Sequence, residues 1–332
     1  MQFYQLKRRE FITLLGGAAV AWPFAARAQQ QAMPVIGWLS SLSPEGGKPN
    51  LAAFRKALAD TGYVEGHNVQ FEYRWANGNY DRLPSMAADL VGRRVALIAT
   101  SGGEPPAFAA KAATATIPIV MVMGGDPVKE GLVASLNQPG ANATGATVYA
   151  YNMESKRLAL LHEAVPAVKI IAILVNPASP GAELQTREVQ EAAPRLGVEV
   201  VILNAHGAGE FESLFDAMAE RKAGALLVTA DPSLYNERGQ LIALAARHRL
   251  PAIYEWRLHA VEGGLMSYGT VLTDAYNQVG RYAGRILNGE KPGDLPVVQP
   301  TNFQFVINLK TAKTLGLEIP PTLSARADDV IE

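Results

Sequence analysis

Residues 170–177 read Ile-Ile-Ala-Ile-Leu-Val-Asn-Pro, and this stretch decides the fold class. An unbroken apolar run ending in a turn-forming Asn-Pro is the pattern of a strand covered on both faces, as in a parallel sheet. Amphipathic stretches flank it, and they mark helices over residues 156–165 and 183–196, the second interrupted late by Pro194. The alternation continues with strands at 198–203, 225–229 and 252–254 and helices at 211–220 and 240–247.

The same rhythm runs upstream. Residues 34–39 (PVIGWL), 69–73, 96–99 and 117–122 read as strands, and 51–58, 83–91 and 108–115 as helices. These are two successive βα arrays of about 110 residues each, near the usual size of a doubly wound domain. Between them, residues 143–152 are rich in Thr, Gly, Ala and Tyr and read as a crossover. The irregular piece 263–269 (GGLMSYG) precedes one more amphipathic helix, 275–287. If that helix returns to the first sheet, the halves are joined by several strands that permit a hinge. Residues 294–309 read as extended, with Pro296 and Pro300 breaking any helix. The expected fold is therefore α/β, with two doubly wound parallel-sheet lobes joined by several hinge crossovers. Lobe 1 takes residues 34–146 and about 269–295, and lobe 2 takes 150–264 and about 300–332.

The N-terminus is a targeting segment. Lys7-Arg8-Arg9 precedes an apolar run from Phe11 to Ala21, and Ala26-Arg27-Ala28 supplies a small-x-small cleavage pattern. The Arg8-Arg9 pair resembles a twin-arginine export signal. The run is shorter than the ~20 residues needed to span a bilayer. The expectation is a signal over residues 1–28, cleaved near Ala28, and a mature protein free in the periplasm. With no cysteine there is no disulfide, thiolate metal site or lipidated cysteine. A net charge of -1 without long runs of one sign argues against nucleic acid or an anionic membrane as partner.

In open α/β sheets, ligands bind beyond the carboxyl ends of the strands. That rule selects Ser41 in the Ser40–Ser43 loop and Trp75 after the second strand. It also selects Ser101-Gly102-Gly103 after the third and Asp126 after the fourth. In the second array it selects Asn176, Asp231, and Tyr254 with Trp256. The Ser and Gly loops suit a carboxylate, or serve as ordinary helix caps. The aromatics suit a flat or apolar body, or pack at the lobe edge. Asp126 either takes an ammonium or caps the helix that follows. Residues 100–104 (TSGGE) lack the order of a nucleotide-phosphate loop. The five histidines have no metal-ligand spacing and no G-x-S-x-G elbow occurs. Neither a catalytic set, a metal nor a cofactor is expected.

Several segments together resemble a known family. They are 62–69 (GYVEGHNV) with 72–75 (EYRW), 115–120 (ATIPIV) leading to Asp126-Pro127-Val128, and 131–136 (GLVASL) running on to Pro139-Gly140 and Thr144-Gly145. Further on come 263–269, 294–297 (DLPV) and 327–332 (ADDVIE). In this order they are similar to bacterial ABC transporter substrate-binding proteins related to tryptophan/tyrosine-type binding proteins. The resemblance implies a type I periplasmic-binding fold with three interlobe crossovers, acting as a monomer beside a membrane permease. It places the pocket at the lobe interface and adds Tyr268 to the lining candidates. The implied function is capture of an amino acid or aromatic or carboxylic acid, with a receptor-docking sensor subunit as the alternative.

Overall fold

The computed structural model describes residues 33–332. The export signal expected over residues 1–28 lies outside the described residues. The first lobe begins with β1 (Val35–Ser40), α1 (Pro44–Ala59), β2 (Gln70–Trp75) and α2 (Leu83–Gly92). It continues through β3 (Leu97–Ser101), α3 (Glu104–Ala113), β4 (Ile119–Met123) and β5 (Ala143–Thr147). The five strands form one parallel sheet in the order β2-β1-β3-β4-β5. One face carries Leu39 and Ile98 against Leu90 of α2 and Ala110 of α3. The other carries Trp38 against Phe54 of α1, with ring centroids 5.2 Å apart in an edge-on arrangement.

The segment read as a crossover over 143–152 is in part a strand. Ala143–Thr147 pairs with β4 and is buried throughout. Its backbone lies so close to β4 that a Cβ on Gly145 would stand 1.9 Å from the Met121 carbonyl oxygen. Small residues make that approach possible, and they also remove the bulky apolar signature by which a strand is recognised.

The second lobe runs through α4 (Glu154–Ala164), β6 (Ile170–Val175), α5 (Ala182–Leu196), β7 (Glu199–Asn204) and α6 (Phe211–Glu220). Next come β8 (Ala225–Val228), α7 (Pro232–Asn236), α8 (Arg238–Arg247), β9 (Ala252–Tyr254), α9 (Arg257–Val261) and β10 (Met266–Thr270). Pro194 does not interrupt α5, which continues to Leu196 and ends on left-handed Gly197. The proline sits in the last turn, so the bond its missing N–H forfeits, to the carbonyl four residues earlier, is lost at the end of the helix and leaves the preceding turns intact. After β10 the chain returns to the first lobe as α10 (Leu272–Leu287). There Tyr276, Val279 and Ala283 join the cluster of Trp38, Phe54 and Leu58.

From α10 the chain runs along the outer edge of β5. Val298 N donates to Gly145 O (2.9 Å) and Thr147 N to Val298 O (2.9 Å). It then crosses a third time into β11 (Phe303–Asn308), followed by α11 (Leu309–Leu315), α12 (Pro321–Ser324) and β12 (Asp329–Ile331). The second sheet has the order β12-β11-β10-β9-β8-β6-β7. Here the structure qualifies the all-parallel expectation, because β11 runs antiparallel to β10 while β12 is parallel to β11. The cause is topological. Strand β10 leaves the sheet at its hinge end, and β11 enters at that same end, so it must run the other way. A parallel sheet with an antiparallel edge is a common variant of this architecture.

Candidate functional site

The carboxyl ends of the parallel strands in both sheets face one cleft, as the topology of open sheets requires. From lobe 1 the walls are Leu42 after β1, Gly102 and Gly103 after β3, Val122–Gly124 at the end of β4, and Asn50, Leu272 and Tyr276 from helices. From lobe 2 they are Ala230, Asp231, Pro232, Tyr235 and Trp256. The first crossover contributes Val148, Ala150 and Tyr151 as the floor. The space between these atoms is about 440 Å³, part of it open to solvent. A larger groove, about 700 Å³, lies outside the hinge along residues 146–148, 270–275 and 298–302. It meets strand ends only at Thr147 of β5 and Thr270 of β10, whereas the interlobe cleft gathers the segments that follow β1, β3, β4, β8 and β9 and is the stronger candidate.

Asp231 is the charged side chain of that wall. Its Oδ1 caps α7 by accepting from Ser233 N (2.9 Å) and Leu234 N (3.1 Å), and it also accepts from Asn176 Nδ2 (3.0 Å). Its Oδ2 accepts from the Tyr80 hydroxyl of the opposite lobe (2.9 Å). Burial pushes the Asp231 carboxyl above the usual range, against the opposing pull of Asn176, the Leu234 N–H and Tyr80. Across the cleft, Glu104 in the first turn of α3 is fully buried. Its carboxylate accepts from Gly125 N and from the Tyr151 hydroxyl. Burial raises this carboxyl too, with the Tyr151 and Gly125 donors opposing.

Two further contacts hold the mouth shut. Asn236 Oδ1 at the end of α7 accepts from Ser43 N (2.9 Å) and Ser43 Oγ (2.7 Å), and the Tyr80–Asp231 bond is the second tie. Behind the floor, Arg157 and Glu154 of α4 form a wholly buried ion pair at 2.6 Å. Arg157 Nε donates to Tyr268 O (2.8 Å) just before the second crossing, and its Nη1 donates to Ala150 O (3.4 Å) in the first. Glu154 Oε1 accepts from Ala230 N (3.3 Å) and Gln185 Nε2 (3.2 Å), which ties the pair to the cleft wall. Nearby Glu255 is fully buried with no hydrogen-bond partner on either oxygen, and His259 Nε2 lies 3.8 Å away. Burial pushes the Glu255 carboxyl up to about 8 and His259 down to about 3.

The residues singled out from sequence divide into three groups. Gly102, Gly103, Asp231 and Trp256 line the cleft, the two glycines at φ of +85° and +80° that other residues rarely adopt. Ser41, Ser101 and Asn176 stand one layer behind. Ser41 Oγ donates to Gly102 O (2.6 Å), Ser101 Oγ lies 2.8 Å from the Tyr276 hydroxyl, and Asn176 orients Asp231. The structure does not bring Trp75, Asp126, Tyr254 or Tyr268 into the cleft wall. Trp75 stacks on Tyr73 and covers Gly47 of α1. Asp126 caps its own turn through Val128 N (3.0 Å) and Lys129 N (3.3 Å). Tyr254 is buried within lobe 2, stacked on His259, and Tyr268 stacks on Phe303. Tyr254 is the last residue of β9 and packs on the sheet face, whereas Trp256 lies two residues past the strand, at the start of α9, where the chain borders the cleft. Tyr151, Tyr235 and Tyr276 were missed. Tyr235 lies one helical turn beyond the Asp231-Pro232 signal, whereas Tyr276 arrives from a helix with no such signal.

Two α/β lobes with three crossovers around a cleft define the type I periplasmic-binding architecture, which the solved neighbours share. A family profile described as ABC transporter substrate binding protein matches residues 41–331, and the chain belongs to that family. A tyrosine-binding protein of Clostridioides difficile is 28% identical over 265 residues, covering 80% of this chain and 76% of its own length. A conserved domain protein from Vibrio cholerae has a TM-score of 0.81 at 27% identity, over 90% of this chain and 99% of that one. The domain solved in complex with L-Trp from Streptococcus pneumonia has a TM-score of 0.80 at 24% identity, covering 90% of this chain and 100% of that one.

Proposed function

We propose that this protein is the periplasmic solute-binding component of an ABC importer, exported by its N-terminal signal, handing its cargo to a membrane permease and catalysing no reaction. The cargo is a small organic solute with an aromatic or apolar body. The observation that carries this reading is the cleft walled by the strand ends of both lobes, with aromatic side chains and Asp231 facing inward. Relatives named for tyrosine and solved with L-Trp support an aromatic solute of that size. The work is done by closure. A ligand touching both lobes favours the closed state by the contacts it gains there, and the closed form is what a permease recognises.

The test is calorimetry and thermal denaturation against aromatic and branched-chain amino acids, amines and acids, with small-angle scattering to follow closure. Binding should raise the melting temperature and contract the particle. Absence of both heat and stabilisation at millimolar concentration, for every compound, would sink the reading.

A further inference from the structure

The polar inventory of the cleft is one-sided. Asp231 is the sole charged side chain among the described residues that line it, and neither lysine nor arginine does so. Four aromatic residues surround the same space: Tyr151, Tyr235, Trp256 and Tyr276. Tyr235 meets Trp256 edge-on at 5.4 Å, and the Arg238 guanidinium already lies over the Tyr235 ring at 4.7 Å. Aromatic faces carry the negative end of the ring quadrupole and attract cations, and cages of such rings are a recurrent means of holding organic ammonium groups.

A ligand carboxylate would need donors, and most of those at the ends of β1 and β3 are spent within the protein. Leu42 N donates to Ser40 Oγ (3.1 Å), Ser43 N to Asn236 Oδ1 and Gly102 N to the Tyr276 hydroxyl (3.3 Å). The Ser41 hydroxyl is committed to Gly102 O. The start of α3, where a helix favours negative charge, is already filled by the carboxyl group of Glu104, held by Gly125 N and Tyr151. Glu130, whose Oε2 is buried without a partner, adds a further acid behind that point. Asp231 Oδ2, by contrast, has one protein donor and can accept a second.

Resting on the reading of this cleft as the solute site, we infer that the solute is an organic ammonium: an aromatic or apolar body with a cationic nitrogen set against Asp231 and the ring faces, and no free carboxylate. This replaces the carboxylate that the Ser and Gly loops suggest from sequence. The hydroxyls and amides are there, but they face one another.

The experiment compares bodies in matched charge states on the full chain purified without refolding. Tryptamine, tryptophan, tryptophol and indole-3-acetate form one set, and tyramine, tyrosine, tyrosol and 4-hydroxyphenylacetate the second. The amines should bind at least about tenfold tighter than the amino acids, the size of one charge-assisted contact, and the acids should give no heat. Amino acids or acids binding as tightly as the amines would overturn the inference while leaving solute capture intact. No binding by any compound would overturn both. Asp231→Asn preserves the α7 cap and should weaken amine binding about tenfold without altering tryptophol. Equal loss for both probes would make Asp231 merely structural and refute the assignment. Glu104→Ala should vacate the α3 terminus and narrow the amine-to-amino-acid preference about tenfold. An unchanged preference in that variant would also count against it.

Discussion

The two ends of the cleft are closed by different chemistry. At the hinge end a buried ion pair lies behind the crossings, and its arginine binds the first crossing at Ala150 O and the strand leading into the second at Tyr268 O. At the mouth, Tyr80–Asp231 and Ser43–Asn236 are the side-chain ties between the lobes, and neither is an ion pair between opposite charges. A buried charge pair cannot be parted without leaving an uncompensated charge, whereas a single hydrogen bond can be exchanged with water at a net cost of about 1 kcal/mol, or about 1.5–3 kcal/mol where a carboxylate accepts it. The clamp is thus built to stay joined at one end and to part easily at the other.

The strongest way to break this contrast is at Arg157. Arg157→Met leaves Glu154 buried and unpaired, and should destabilise the fold by about 3–5 kcal/mol in chemical denaturation. Adding Glu154→Gln to it should recover part of that loss, and a double variant no better than the single one would deny that the uncompensated charge is the cause. The next effect is read as pH dependence, and it belongs to the hinge side. Glu255, raised to about 8 from 4.5, contributes stability that is present below 4.5 and lost as pH rises through 8. His259, lowered to about 3 from 6.5, contributes stability present above 6.5 and lost as pH falls through 3. Thermal stability should therefore decline between pH 6.5 and 8, and Glu255→Gln should lessen the slope. Part of the slope persists in that variant, since Glu130 is also raised to about 8.

Smaller effects are expected at the mouth. Asn236→Ala should leave unfolding nearly unchanged but shift the balance towards the open form by about 1 kcal/mol, a roughly fivefold weaker ligand affinity. Scattering in the absence of ligand should report a larger particle. Tyr80→Phe removes the one protein donor to Asp231 Oδ2, a place that water or a ligand ammonium can take, so its effect should be of the same order, roughly fivefold. A mouth variant that unfolds the protein as readily as Arg157→Met would erase the distinction between the two ends.

Much of this organisation was legible because strand and helix periods differ. Ile170–Val175 and its neighbours announce buried strands, and the strand-end rule leads directly to Gly102, Gly103 and Asp231. What stayed hidden depends on contacts distant in sequence. Ser101 and Tyr276 are 175 residues apart, so nothing local says that the hydroxyl of one occupies the other. Trp75 has the position of a ligand-stacking residue and instead packs on α1, because Gly47 opens room there for its ring. The antiparallel β11 was likewise beyond pattern reading, since direction follows from where the chain re-enters the sheet.

The return of α10 to the first sheet has a consequence for how the chain is made. Synthesis delivers five strands of the second lobe before the helix that covers Trp38 and Phe54 exists. Until residue 287 emerges, the first lobe exposes an aromatic surface to whatever receives the nascent chain. Neither lobe is complete before the other is well advanced, so the two should be gained and lost in one cooperative transition.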